Sequence, residues 1–324
     1  MLKTRTLFNK FFAVLFSLPF FLTSLMFTSQ LTLAEPLRVG TTLWPGYEPL
    51  YLAKEINAYK EDIRMIDYPS TSEVLRAFKN RIVEVAALTL DEVVLLEESN
   101  IPVQIILVLD ISEGADVIMA RPELKNIQGL KGARVAVEST AVGAYTLSRA
   151  LEVHNINISD ISLVNVENSS HKEAYENNLA DAVVTYEPVR TQLLKLGAIE
   201  VFNSTEIPGE IVDVLVVHDD ISRSHKDELY DITKGWFKAL KHMKDEPAAS
   251  YNFIASRMKL TPREAKESYI GLSLPSLDKN ILMLTGASAP LAKTFDRLTQ
   301  HMKNSGLIQP SAKPKAVLNT QFLP

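Results

Sequence analysis

From Leu37 onward, short apolar runs alternate with segments whose apolar residues recur at helical spacing. "LRVGTT" is followed by a helical period over residues 50–59, "IRMIDY" by one over 72–80 and "EVAALT" by one over 91–99, and "VQIILVLD" closes the series. After "DISEGADVIMARPELKNIQGLKG" the alternation restarts: "RVAVE" then 141–154, "ISLVNVE" then 171–179, "DAVVTYEP" then 189–196, and "IEVF". Strands alternating with helices predict parallel sheets with crossover helices. The restart predicts two α/β units in series. "GEIVDVLVVHDD" is a further extended run, beyond which the pattern is helical over 222–244, 247–258, 262–272 and 289–304. The simplest packing returns the chain to the first unit. "ADVIMA" and "EIVDVLVV" are then expected as two extended crossings between lobes, with a hinge and a cleft beside them. The tail "IQPSAKPKAVLNTQFLP" reads as an extended strap or as partly disordered.

Composition narrows the class. At 324 residues, 46% hydrophobic and 23% charged, the chain has the make-up of a folded protein with room for two domains. The formal charge is −5, and the first 34 residues carry Lys3, Arg5 and Lys10 without an acid, which leaves 31 basic against 39 acidic residues beyond them. An acidic body argues against nucleic acid and anionic membrane surfaces as partners. The opening segment joins that basic start to an apolar stretch from Phe11 to Thr28 and to Thr32-Leu33-Ala34 before Glu35. This is the layout of an export signal cleaved after Ala34. The stretch exceeds the usual signal core, so an uncleaved membrane anchor is the competing reading. No cysteine occurs. Lipid attachment to an N-terminal cysteine and disulfides are therefore ruled out, and stability has to come from a core of adequate size.

Candidate chemistry begins with "GTTLWPGYEPLYLAKE", which sets Trp44, Gly46 and Tyr47 between the first strand and its helix. Such turns are where ligands sit in open α/β sheets, so these three are candidate contacts, with Trp44 at an open cleft and supporting little of the core. Four segments carry Ser or Thr three residues before Glu: Ser70 and Glu73, Thr89 and Glu92, Ser170 and Glu173, Thr261 and Glu264. Each predicts a capping box. Ser70, Thr71, Ser72, Thr89 and Asp91 also follow strands on the side of the Trp44 loop, which makes them candidate ligand contacts. In the second unit, Glu138, Ser139 and Thr140 precede the small residues Ala141, Gly143 and Ala144. Either free amides there hold an anion, or Ser139 or Thr140 simply caps the helix. Tyr186 and Glu187 end a strand and are expected to face the cleft. Asp110, Glu113, Asp116, Glu210 and Asp213 collect at the crossings. They read either as solvated hinge acids or, in the case of Asp116 together with Asp91 and Glu187, as partners for an ammonium or ring N–H donor. No phosphate loop, G-x-S-x-G or H-E-x-x-H occurs, and His218-Asp219-Asp220 reads as a solvated strand end rather than a metal site. No catalysis, cofactor or metal is expected.

With that architecture, "LRVGTTLWPGYEPLYLAKEINAYK", "STSEVLRAFKNRIVEVAALTLDEVVLLEE", "LKNIQGLKGARVAVESTAVGAYTLSRALE" and "DAVVTYEPVR" resemble the substrate-binding proteins of ABC importers. The branch is the one serving nitrate, alkanesulfonates, taurine and thiamine-precursor pyrimidines. The resemblance spans roughly residues 37–220. It implies a type II periplasmic binding fold, with lobe 1 built from 35–115 and 215–324 and lobe 2 from 116–214. It further implies a periplasmic monomer that closes on a small molecule and delivers it to an ABC permease, or docks on a membrane receptor as a sensor. The ligand loops it implies are 44–47, 70–72, 89–91, 138–140 and 186–187. The missing cysteine departs from the motif of the related pyrimidine-synthesising enzymes. The acids depart from the hydroxyl and basic donors usual for sulfonate and nitrate, so a small polar or zwitterionic organic ligand is expected.

Overall fold

The computed structural model describes residues 35–286 and 289–324, so the expected export signal lies outside the described residues. Strands β1 (Leu37–Thr42), β2 (Ile63–Tyr68), β3 (Val85–Thr89) and β4 (Val103–Ser112) make up the first series, and β5 (Val117–Ala120), β6 (Arg134–Val137), β7 (Ser162–Asn165), β8 (Ala182–Thr185) and β9 (Ile199–Asn203) the second. The chain then returns through β10 (Val212–His218) and the two-residue β11 (Leu272–Ser273). One sheet has the order β11-β4-β10-β3-β1-β2 and the other β7-β6-β8-β5-β9. Within each, the strands joined by crossover helices run parallel, while β10 lies antiparallel between β3 and β4, and β5 between β8 and β9. β3, β5, β8 and β10 are buried along their whole length, as their near-continuous apolar sequences require.

Helices Glu48–Glu55, Thr71–Lys79 and Leu90–Glu98 follow β1, β2 and β3, and Val142–Val153 follows β6. Several helices hand over to the next loop through an asparagine in the left-handed region, Asn57, Asn100, Asn155 and Asn178 among them. The short polar side chain makes that conformation accessible to a residue other than glycine.

The structure corrects four expectations. β5 and β10 do not cross between the lobes; each belongs wholly to one sheet, and the crossings are the turns 113–116 and 204–211. Because β10 joins the first sheet from Val212, the return precedes the expected 214/215 boundary. The helix expected over 262–272 stops at Glu267. Gly271, at φ +84, lies so close to the first crossing that a Cβ would fall 2.9 Å from the Gly114 carbonyl carbon, and Leu272 then pairs with Ser112 as β11. Finally, the pattern missed the helix Leu277–Leu284, and the run expected over 222–244 is broken at His225. The tail is a strap: Ile105 donates its N–H to the Val317 carbonyl (2.8 Å), Asn319 donates to the Ile105 carbonyl (2.9 Å), and Phe322 is buried.

Candidate functional site

Strand register brings the site together. Asp213 on β10 stands opposite Thr89 on β3 and opposite Asp110 on β4, so one row across three adjacent strands carries a hydroxyl and two carboxyls. The Trp44–Tyr47 turn lies over this row. Trp44 Nε1 donates to Asp110 Oδ2 (3.1 Å), and Tyr47 donates its hydroxyl to Asp213. Gly46 makes the approach possible, because a Cβ there would sit 1.8 Å from Asp110 Oδ2. The second lobe closes over the same place. Tyr186 meets Trp44 edge-to-face with ring centroids 5.2 Å apart, Glu138 Oε1 accepts the Ser72 N–H (2.7 Å), and the Ser72 and Thr140 hydroxyls share a 2.6 Å hydrogen bond. The crossings are tied to each other as well, through Ser112 Oγ and Ser204 Oγ at 2.8 Å.

Between the lobes remains a cavity of about 10 Å³, room for a single water. Thr42, Trp44, Tyr47, Thr71, Thr89 and Asp213 line it from the first lobe, and Asp116, Val142 and Tyr186 face them. A second space of the same size shares Asp116 and Tyr186 and extends to Glu138, Thr146 and His171. Three buried hydroxyls here have no hydrogen-bond partner, Thr71 Oγ1, Thr89 Oγ1 and Tyr186 Oη, while the Asp110 and Asp213 carboxyls, opposite each other in register, have a hydrogen bond between them. Unsatisfied buried polar atoms cost about 1–3 kcal/mol each, so such a concentration marks a place built for something other than packing. Burial pushes the carboxyls of Asp110 and Asp116 up to about 7 and that of Asp91 to about 6. Burial, helped by the neighbouring acids, pushes Asp213 and Glu92 well above the ordinary range. His171, buried on the far side, is held down at about 4 and is neutral at ordinary pH.

The sequence model of the NMT1-like family matches residues 33–256. The chain belongs to the NMT1-like family. The taurine-binding periplasmic protein of Escherichia coli K12 is 22% identical over 200 residues, a match that covers 59% of this chain and 62% of that protein, less than two thirds of its length. Among solved structures, the alkanesulfonate-binding protein SsuA of Xanthomonas axonopodis pv. citri, bound to MOPS, superposes with a TM-score of 0.75 at 15% identity, covering 88% of this chain and 98% of that one. The periplasmic nitrate-binding protein NrtA of Synechocystis PCC 6803 gives 0.69 at 12% identity, covering 86% and 83%. The two-lobed NMT1-like chain thus has the type II periplasmic binding fold.

In this family member the residues singled out from sequence divide into two groups. Trp44, Tyr47, Thr71, Thr89, Asp116 and Tyr186 line the main cavity, Gly46 backs it, and Glu138 borders the adjoining one. Ser70 is a cap, accepting the Glu73 N–H, and Ser72 is a cross-lobe contact. Asp91 faces an outer groove shared with Ser139 and Thr140. Trp44 is not the open-cleft residue expected, being only 4% exposed and part of the core cluster. Ser139 and Thr140 are exposed and neither caps the helix, which starts one residue later behind Ala141. Glu187 turns away from the cleft: its carboxylate accepts the Thr191 N–H (3.1 Å) and hydroxyl (3.0 Å) and pairs with Arg190. Ser170 forms no cap, because it closes a 3-10 turn that feeds directly into the helix. Thr261 and Glu264 do form the reciprocal box. His218, Asp219 and Asp220 engage separate partners, namely the Phe78 carbonyl, Gln104 with Arg223, and Arg81. Solvated hinge acids describe Glu113 but not Asp110, Asp116 or Asp213, which are buried. Sequence reasoning kept Asp110 and Asp213 out of the binding set; an acid inside each of the apolar runs "VQIILVLD" and "IVDVLVV" was the available signal.

Proposed function

We propose that this NMT1-like protein is an exported solute-binding protein, freed of residues 1–34 by cleavage after Ala34, that captures a small organic molecule between its lobes and presents it to an ABC permease. It acts as a periplasmic monomer and makes or breaks no bond. The observation that carries this reading is the meeting of Trp44 and Tyr186 from opposite lobes over inward-facing polar atoms that nothing else satisfies. The binding residues are Trp44, Tyr47, Thr71, Thr89, Asp116, Tyr186 and Asp213. Membership of the family, and relatives described as taurine-, alkanesulfonate- and nitrate-binding, support solute capture as the role.

Closure follows from differential affinity, since a solute that touches both lobes stabilises the closed arrangement over the open one by the contacts it gains there. The test is mass spectrometry of small molecules released when the purified chain is denatured, followed by thermal melting with each recovered compound. At 100 times its dissociation constant a ligand bound only by the folded state adds about 2.7 kcal/mol, or roughly 5–10 °C for a chain of this size. No recovered compound and no shift would defeat the proposal.

A further inference from the structure

The relatives named above are described by anionic or zwitterionic solutes, yet the cavity walls here carry acids. Asp116 and Asp213 line it, Asp110 stands beside Asp213 in register, and no lysine or arginine lines either inter-lobe space. Asp110 and Asp213 are held protonated by burial, and a cation that ionises them leaves carboxylates that only accept hydrogen bonds and therefore call for donors. The unpartnered hydroxyls of Thr71, Thr89 and Tyr186, each at least nine-tenths buried, can accept as well. Aromatic rings complete the surroundings: Trp44, Tyr47 and Tyr186 offer the π surface that favours a cation.

From this geometry we infer that the bound solute presents a primary ammonium group to the Asp213–Asp110–Asp116 acids, and that the cleft selects small organic amines against sulfonates and nitrate. The inference rests on the reading of the cleft as a solute site and adds its substrate class. An ammonium group brings three donors and one positive charge, which match the acceptors present. A sulfonate brings three acceptors and a negative charge into a pocket of carboxyls. Burial already holds these acids partly protonated, so an incoming cation displaces protons, whereas an anion finds no counter-charge.

Propylamine and propanesulfonate have the same carbon chain and opposite charge, and they separate the two classes in thermal melts at matched ionic strength and pH 8. Propylamine is expected to raise the unfolding midpoint in a saturable way, with propanesulfonate and sodium nitrate leaving it unchanged. Asp213→Asn, or Asp116→Asn if the first does not fold, should weaken the propylamine dissociation constant more than tenfold, while Glu173→Gln, on an exposed helix face, leaves it unaltered. Stabilisation by propanesulfonate with none by propylamine would overturn the ammonium assignment and leave solute capture standing. Equal response to ammonium chloride and propylamine would overturn an organic ligand. A flat response to all four would also overturn the assignment, and only a failure to recover any compound from the denatured chain would take the proposed function with it.

Discussion

Raising the pH of the ligand-free protein from 5 to 8 should destabilise it, and Asp116 allows the size of the effect to be worked out. Its carboxyl titrates at about 7 in the folded chain against 3.8 for an ordinary aspartate, chiefly through burial, which the Ser112 hydroxyl offsets in part. A carboxyl raised in this way stabilises the folded state while protonated, and that contribution is lost as the pH rises through the folded value. Between pH 5 and 7 the unfolded chain has already released this proton and the folded chain has not, so stability falls by about 1.4 kcal/mol per pH unit, or about 3 kcal/mol in all. For a chain of this length that corresponds to roughly 6–12 °C in the melting midpoint, an upper value because opening of the lobes rehydrates the carboxylate. Asp110, Asp91 and Glu48, at about 7, 6 and 7, act in the same direction, as do Asp213, Glu92 and Glu138; His171, across the cavity, stays neutral over this range. Calorimetric melts of wild type and Asp116→Asn across this range are the assay. The wild-type midpoint should fall with pH and the variant's should fall less steeply. Parallel profiles, or a wild-type midpoint that rises toward pH 8, would refute the assignment of a buried, protonated Asp116.

Three substitutions probe the rest of the site. Trp44→Ala should lower stability by about 3–5 kcal/mol and abolish ligand-induced stabilisation, because the ring is buried and hydrogen-bonded to Asp110; denaturant titration with unchanged stability would contradict this. Gly46→Ala drives a methyl into Asp110 Oδ2, so thermal melts of the variant should show a lower midpoint and no ligand response, and wild-type behaviour would mean that the turn is placed differently. Glu187→Ala removes acceptors from Thr191 and should cost about 1 kcal/mol of stability while leaving ligand affinity within twofold by calorimetry; a large affinity loss would return Glu187 to the cleft.

Hydrophobic periodicity carried most of the fold, because a parallel sheet buries its strands as plain apolar runs and its helices keep one apolar face. It failed where tertiary contact outweighed local preference. Ala265, Tyr269 and Leu272 keep helical spacing, but the close passage of Gly271 against Gly114 turns Leu272 into an edge strand. The site was legible as loops and not as side-chain directions. Trp44, Tyr47, Thr89 and Tyr186 sit on turns that any α/β reading would single out. Glu187 sits on one of the same turns yet folds back onto its own helix, an orientation fixed by Thr191 and Arg190 that one-dimensional spacing cannot express. Asp110 and Asp213 become a pair only through β4–β10 register, which joins residues more than a hundred positions apart.

Small-angle X-ray scattering of the chain, stripped of ligand in denaturant and refolded, tests capture between the lobes most directly. On addition of the compounds recovered from the native protein, the radius of gyration should decrease as Trp44 and Tyr186 are drawn together, and it should not change in Trp44→Ala. An unchanged radius in the wild type, with those compounds bound at saturation, would contradict closure on a solute.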